Sequence, residues 1–266
     1  MIKKFAVIGN PIAHSKSPQI HQAFAQQFNI NLSYERILAP LNEFAETLSH
    51  FQKIGGIGVN ITVPFKIEAA QLVHEKTQRA TAANAVNTIL LGEQWFGDNT
   101  DGEGLLNDLT INLNLSLSNK DILILGAGGA TQGILPALLS ANPRSIIIAN
   151  RTLATAEKLA NEKSGCLACT LANIPAQSYD LIINATSAGV KDENLALPGH
   201  LFKNSICYDL GYGESAQPFL QLAQRHVAKQ AWDGIGMLVE QAAAAFYWWH
   251  HKKPKTQAVI KSLRGN

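Results

Sequence analysis

Asp121-Ile-Leu-Ile-Leu-Gly-Ala-Gly-Gly-Ala-Thr131 decides the fold. Ile122 to Leu125 is a short, uncharged apolar run, as expected of a strand buried on both faces of a parallel sheet. Gly126, Gly128 and Gly129 follow at once, and Ala130 to Leu139 then reads as a helix. Strand, glycine turn and helix form the setting in which a Gly-x-Gly pattern predicts a dinucleotide site. The glycines let the backbone turn tightly and approach a pyrophosphate, and the helix start offers N–H groups and the positive end of its dipole. Gly126, Ala127, Gly128, Gly129 and Ala130 are therefore the candidate phosphate cradle. Thr131 stands at the third fingerprint position, where Gly or Ala is usual.

The next buried run, Ser145 to Ala149, ends in Asn150-Arg151-Thr152. A site for NAD places an acid there, ~20 residues past the glycines, to bind the ribose 2′-hydroxyl. A carboxylate would repel a 2′-phosphate, whereas a guanidinium and a hydroxyl bind one. Asn150, Arg151 and Thr152 thus favour NADP.

The chain has 266 residues, 46% of them hydrophobic and 16% charged, which is enough for two domains with real cores. Its net charge of +2 is not gathered into a basic face, apart from Lys252, Lys253 and Lys255, so nothing calls for nucleic acid. Met1 to Gly9 reads as a first strand rather than a signal peptide. Gly234 to Trp249 is short for a membrane span and carries Glu240 and Gln241, so it reads as an amphipathic helix. Cys166 and Cys169 form a Cys-x-x-Cys on what reads as a strand, where the two thiols face opposite ways; neither a redox nor a metal role follows. Three cysteines in all suit a reducing cytoplasm.

Alternating strand and helix signals upstream predict an α/β domain ending near residue 100. Phe5 to Gly9 and Leu32 to Leu38 read as strands, Asn42 to Lys53 as a helix, and Gly58 to Thr62 as a strand. Ser17 reads as an N-cap with Pro18 at the first helical position, and Pro64 opens a further helix. Val86 to Leu91 and Gln94 to Phe96 read as a hairpin. A helix from Asp101 to Leu113 leads into the nucleotide domain, which adds strands at Asp180 to Ala185 and Ser205 to Leu210 and ends with Gln230 to Gly234. The helices after Gly236 have no strand partners, so they are expected to return to the first domain. The expected architecture is α/β throughout. A substrate domain, residues 1–100 and 237–266, is completed by the C-terminal helices. A Rossmann-like domain, residues 101–236, holds the cofactor, and substrate is expected in the cleft where the two meet.

Polar residues gather at the strand ends of the first domain. Ser15 and Ser17 flank Lys16; Asn60 and Thr62 share one face of their strand; Asn87 and the run Gly97-Asp-Asn-Thr-Asp-Gly102 add amides and a carboxylate. Lys66 sits at a helix start, where the dipole disfavours its charge, which suits proton transfer. Asp101 reads equally as a helix N-cap, a first-turn acid or a functional carboxylate. His14 and His21 lack metal-ligand spacing and read as structural, and Tyr247, Trp248 and Trp249 as packing. Hydroxyls, amides, one lysine and one aspartate suit an uncharged, hydroxyl-rich ring better than a phosphate ester.

These pieces, taken in order, resemble the shikimate dehydrogenase family over nearly the full chain. The matching segments are Gly9 to Pro18, Asn60 to Lys66, Ala85 to Thr88, Asp98 to Gly102, Gly126 to Ala130, Asn150 to Thr152, Asn184 to Gly189 and Gly234 to Ala242. The resemblance implies NADP-linked interconversion of 3-dehydroshikimate and shikimate on the route to chorismate and the aromatic amino acids. It implies a cytoplasmic monomer or homodimer with small-molecule partners, no metal, no nucleic acid and no membrane. It also implies that Lys66 and Asp101 are the catalytic pair and that Ser15 and Ser17 bind the substrate carboxylate. Asn60, Thr62, Asn87 and Gln241 would hold ring hydroxyls, with Tyr212 nearby, and Thr186, Leu210 and Gly234 would line the nicotinamide pocket. Two departures stand out: Thr155 replaces a second arginine common in the family, and Gly213 to Pro218 replaces its basic Thr-Pro segment. A quinate/shikimate dehydrogenase accepting NAD is the rival within the class. A non-catalytic NADP-binding sensor is the rival outside it, and the retention of Lys66 with Asp101 argues against that one.

Overall fold

The computed structural model describes residues 2–162, 165–186 and 197–265. Ser187 to Gly189, the end of one family-like segment, lie outside the described residues. The chain forms two compact units, Met1–Leu105 with Leu238–Asn266, and Leu106–Met237. Each has a six-stranded sheet flanked by helices.

In the first unit, β1 (Lys3–Gly9) lies parallel between β2 (Leu32–Leu38) and β3 (Gly56–Ile61). Antiparallel β5 (Thr88–Leu90) and β6 (Phe96–Asp98), then β4 (Glu75–Lys76), extend the sheet in the order β2-β1-β3-β5-β6-β4. The central strands are apolar on both faces because helices cover both. On one side Ile8, Val59 and Ile61 pack with Leu48 and Phe51 of α2 (Phe44–Lys53), and with Ala69 and Ala70 of α3 (Lys66–Leu72). On the other, Phe5, Val7 and Tyr34 meet Trp249 of α9 (Ile235–His250). Ile20 and Phe24 of α1 (Ser17–Gln27) are fully buried, and Phe24 meets Phe246 of α9 edge-on.

Several local expectations shift. Ser17 is the first residue of α1, not its cap: Lys16 holds the cap position without a side-chain bond, and the Ser17 hydroxyl turns inward to Ser15. Pro64 lies in the turn before α3, which begins at Lys66. The second hairpin strand runs Phe96–Asp98, later than expected, because Gln94 and Trp95 remain in the connection. Trp248 and Trp249 pack against Phe96 and Phe5, whereas Tyr247 is exposed.

In the second unit the pairings among the described residues are parallel, in the order β12-β11-β10-β7-β8-β9. The strands are β7 (Asp121–Leu125), β8 (Ser145–Asn150), β9 (Cys166–Thr170), β10 (Leu181–Asn184), β11 (Ile206–Asp209) and β12 (Gln230–Trp232). This is the doubly wound order of dinucleotide-binding domains, with its switch point between β7 and β10. Cys166 and Cys169 do fall on a strand.

Candidate active site

The first unit brings Lys66, Asp101, Asn60, Asn87 and Gln241 into one network. β3 ends at Ile61 and delivers Thr62; a three-residue turn then starts α3 at Lys66. The Lys66 Nζ donates to Asp101 Oδ2 at 2.6 Å, with side-chain exposures of 14% and 5%. Asp101 is the first residue of α5 (Asp101–Asn107), so it is a first-turn acid and the partner of Lys66 at once. A buried carboxylate next door braces it. Asp98 accepts from Thr77 Oγ1 (2.6 Å), Arg79 Nε (2.7 Å) and the Asn99 N–H (2.7 Å), which fixes the turn leading to Asp101. Arg79 is itself tied to Glu103. Asn99 Oδ1 then accepts the Asp101 N–H at 3.1 Å.

Asn87, 2% exposed, stands beside the pair. Its Nδ2 donates to Asp101 Oδ1 at 2.9 Å and to Gln241 Oε1 at 3.3 Å, and its Oδ1 accepts the Thr100 N–H at 2.9 Å. Gln241 is held in turn by its Nε2 on Leu238 O at 2.7 Å. Asn60 receives the Tyr34 hydroxyl on Oδ1 at 2.6 Å and donates to Thr88 Oγ1 at 3.0 Å. Ser15 and Ser17 are buried, with their hydroxyls 3.2 Å apart, and Arg36 Nε donates to Ser15 O at 2.7 Å. Tyr34 and Arg36 had no place in the sequence reading. Their spacing of two on β2 was the available signal, since it puts both on one strand face. Thr62 is half-buried at the end of β3, with its N–H on Ile8 O. Such a set can hold a hydroxyl-bearing ring with a carboxylate substituent and move one proton through Lys66.

The second unit carries the nucleotide signals. Gly126 has φ +100°, and a Cβ there would come 3.0 Å from Ala185 O, so glycine is required. Gly128 caps α6 (Gly129–Ser140), and a Cβ on it would meet nothing within 4 Å. Backbone N–H groups of a helix's first turn lack partners inside the helix, and here they begin beside the open space at Gly128. Thr131 does not spoil the fingerprint. It is fully buried, and its hydroxyl donates to Gly126 O at 2.8 Å, closing the turn from inside. Asn150 ends β8 with its Nδ2 on Thr152 O, and Arg151 and Thr152 are exposed at the start of α7 (Leu153–Asn161). No acid intrudes in that segment; Thr155, also exposed, follows on α7. A 2′-phosphorylated dinucleotide fits this donor set. Thr186, Leu210 and Gly234 follow β10, β11 and β12 at the C-terminal edge of the sheet. Tyr212 belongs to this unit too, in the turn after β11, with its carbonyl accepting Ser215 Oγ. The described residues hold no group of His, Cys, Asp and Glu able to bind a metal ion.

Three family profiles match: the shikimate dehydrogenase substrate binding domain over residues 7–89, shikimate / quinate 5-dehydrogenase over 109–191, and the shikimate 5′-dehydrogenase C-terminal domain over 234–264. The chain is 48% identical to shikimate dehydrogenase (NADP(+)) of Nitrosomonas europaea, over 98% of this chain and 97% of that one. Among solved structures, an Ael1 enzyme from Pseudomonas putida superposes with a TM-score of 0.89 at 42% identity, covering 98% of both chains. Shikimate 5-dehydrogenase from Thermus thermophilus, in complex with NADP(H) and shikimate, gives 0.87 at 31%, covering 99% of both.

Proposed function

This chain belongs to the shikimate dehydrogenase family, and we propose from that premise how its own residues carry out the reaction. It is an NADP-dependent oxidoreductase that interconverts 3-dehydroshikimate and shikimate. Bound NADPH supplies the hydride that reduces the ring ketone, and NADP accepts it in reverse.

One observation carries the assignment of the proton step: the Lys66–Asp101 contact at 2.6 Å, ringed by amides and hydroxyls. Reduction of a ketone leaves charge on its oxygen, which needs a proton at that atom. Lys66 gives it, and takes it back when the alcohol is oxidised. Asp101 keeps the ammonium aimed, and Asn87 keeps Asp101 aimed. Ser15 and Ser17 bind the substrate carboxylate through their hydroxyls, with Arg36 clamping the Ser15 backbone. Asn60, Thr62, Asn87 and Gln241 hold ring hydroxyls. The Asn60, Asn87 and Gln241 side chains already have fixed partners, so the orientation cost of binding is met in the fold. Gly126 to Ala130 cradle the pyrophosphate, Asn150 to Thr152 read the 2′-phosphate, and Thr186, Leu210 and Gly234 receive the nicotinamide end. A sparse count of three cysteines supports a reducing, cytoplasmic location.

The test follows reduced-nicotinamide absorbance with shikimate or quinate as substrate and NADP or NAD as cofactor. Shikimate with NADP should give the highest kcat/KM. A higher value for quinate with NAD would replace this reading with that of a catabolic dehydrogenase, and absence of turnover with all four pairs would point to a sensor.

A further inference from the structure

Asp209 ends β11 and is 3% exposed. Burial pushes its carboxyl up to about 7, against the pull of two donors, and Asp233 adds to the push. The donors are Asn184 Nδ2, 2.7 Å from Asp209 Oδ2, and the Gly211 N–H, 2.7 Å from Oδ1. An ionised group in such a place costs stability at neutral pH. Its geometry shows what it does instead. The Thr186 backbone N–H can only donate, so it claims the Asn184 oxygen and turns the amide NH₂ toward Asp209. That leaves Asn184 Oδ1 facing the other way, where it accepts the Thr186 N–H at 3.1 Å and the Thr186 hydroxyl at 2.7 Å. The Thr186 proton is therefore directed at Asn184, and toward any third group the hydroxyl acts as an acceptor. A carboxamide N–H is the complementary donor.

A second arm leaves the same carboxylate. Gly211, held by Asp209, accepts the Gly234 N–H on its carbonyl at 2.8 Å, and the Leu210 N–H lies on Asn184 O at 2.9 Å. A Cβ on Gly234 would fall 2.4 Å from Leu210 O, so these strand ends are closely packed.

We propose that Asp209, acting through Asn184, is a positioning residue for the nicotinamide end of the cofactor site. It fixes the direction of the Thr186 hydroxyl and, through Gly211, the seat of Gly234. The proposal rests on the placement of Thr186 and Gly234 at that end.

Asp209→Asn keeps the volume, but its amide cannot accept from both donors. Isothermal titration should show NADPH binding weakened about tenfold, the size of one well-made hydrogen bond. Adenosine 2′,5′-bisphosphate, which lacks the nicotinamide, should bind as before. Thr186→Val should reproduce the selective loss. Equal weakening of both ligands would overturn the proposal, because a merely structural carboxylate acts on the whole unit. Loss in Thr186→Val with none in Asp209→Asn would overturn it while leaving the nicotinamide placement intact. No loss in Thr186→Val would remove that placement, and the proposal with it. Should Asp209→Asn fail to fold, Asn184→Ser under the same two titrations decides by the same outcomes.

Discussion

A single ammonium and a single guanidinium carry the two sharpest expectations. Lys66→Ala removes the only proton carrier proposed for the substrate oxygen, so kcat should fall about 10²- to 10⁴-fold. KM for shikimate should move far less, because Ser15, Ser17, Asn87 and Gln241 keep their partners. Steady-state kinetics separate the two; a raised KM with kcat intact would make Lys66 a binding residue only. Arg151 is the lone guanidinium in its segment, with Thr155 where a second often stands. Arg151→Ala should weaken NADP by about 10- to 150-fold, the worth of one charge-assisted contact, and leave NAD nearly unchanged. Equal losses measured by titration would show that Arg151 does not read the 2′-phosphate. Lys66, Asp101, Asn60 and Asn87 were legible because chemistry-bearing residues at strand ends and helix starts stand out against an apolar pattern. Tyr34, Arg36 and Asp209 were not. Tyr34 and Arg36 act on partners 26 and 21 residues away, and Asp209 on one 25 away. Local pattern does not encode such pairings.

At the scale of elements, the strand–turn–helix around Gly126 was readable almost in full, because period, glycine placement and helix length agree. Its one apparent flaw, Thr131, becomes a brace once the turn brings it under Gly126. Gly126→Ala should cost about 1–2 kcal/mol for holding an L-residue at positive φ. The close approach to Ala185 O adds to that, and the displaced turn should lose NADP binding as well. Thr131→Val removes the hydroxyl at equal volume and should cost about 1 kcal/mol. Urea denaturation with and without NADP checks both; a Gly126→Ala protein of unchanged stability and affinity would mean that the turn is not fixed as described. The boundary shifts at Ser17, Pro64 and Phe96 share another cause. Each lies where a tertiary demand (a buried hydroxyl, a tight turn, a strand pairing) overrides the local signal by one or two residues.

Across the molecule, the two units should answer acid in opposite senses. In the first, His21 stacks on Tyr34 at 4.4 Å and lies 5.4 Å from the Trp249 ring, fully buried. Burial lowers it from 6.5 to about 3, with His250 adding to the effect. Burial also lowers His250 to about 4, helped by Lys3 and His251. Both are neutral when folded and readily protonated when unfolded, so the unfolded state binds more protons in the window between. Their contribution is intact above about 6.5 and is lost as pH falls toward about 3. Asp209 in the second unit has the reverse sign. Its folded value near 7 exceeds 3.8, so the folded state binds more protons in that interval and gains as pH falls through it. Asp121, held below the usual carboxylate range by Arg144, keeps its contribution until pH drops beneath 3.8. Hydrogen exchange between pH 7 and pH 4 should therefore show protection falling first in β1, β2 and α9, while β7, β10 and β11 hold. His21→Phe keeps an aromatic ring beside Tyr34 but removes the titrating group, and should flatten the pH slope of the first unit alone. An unchanged slope in that variant would mean that His21 is not the group whose protonation opens this unit.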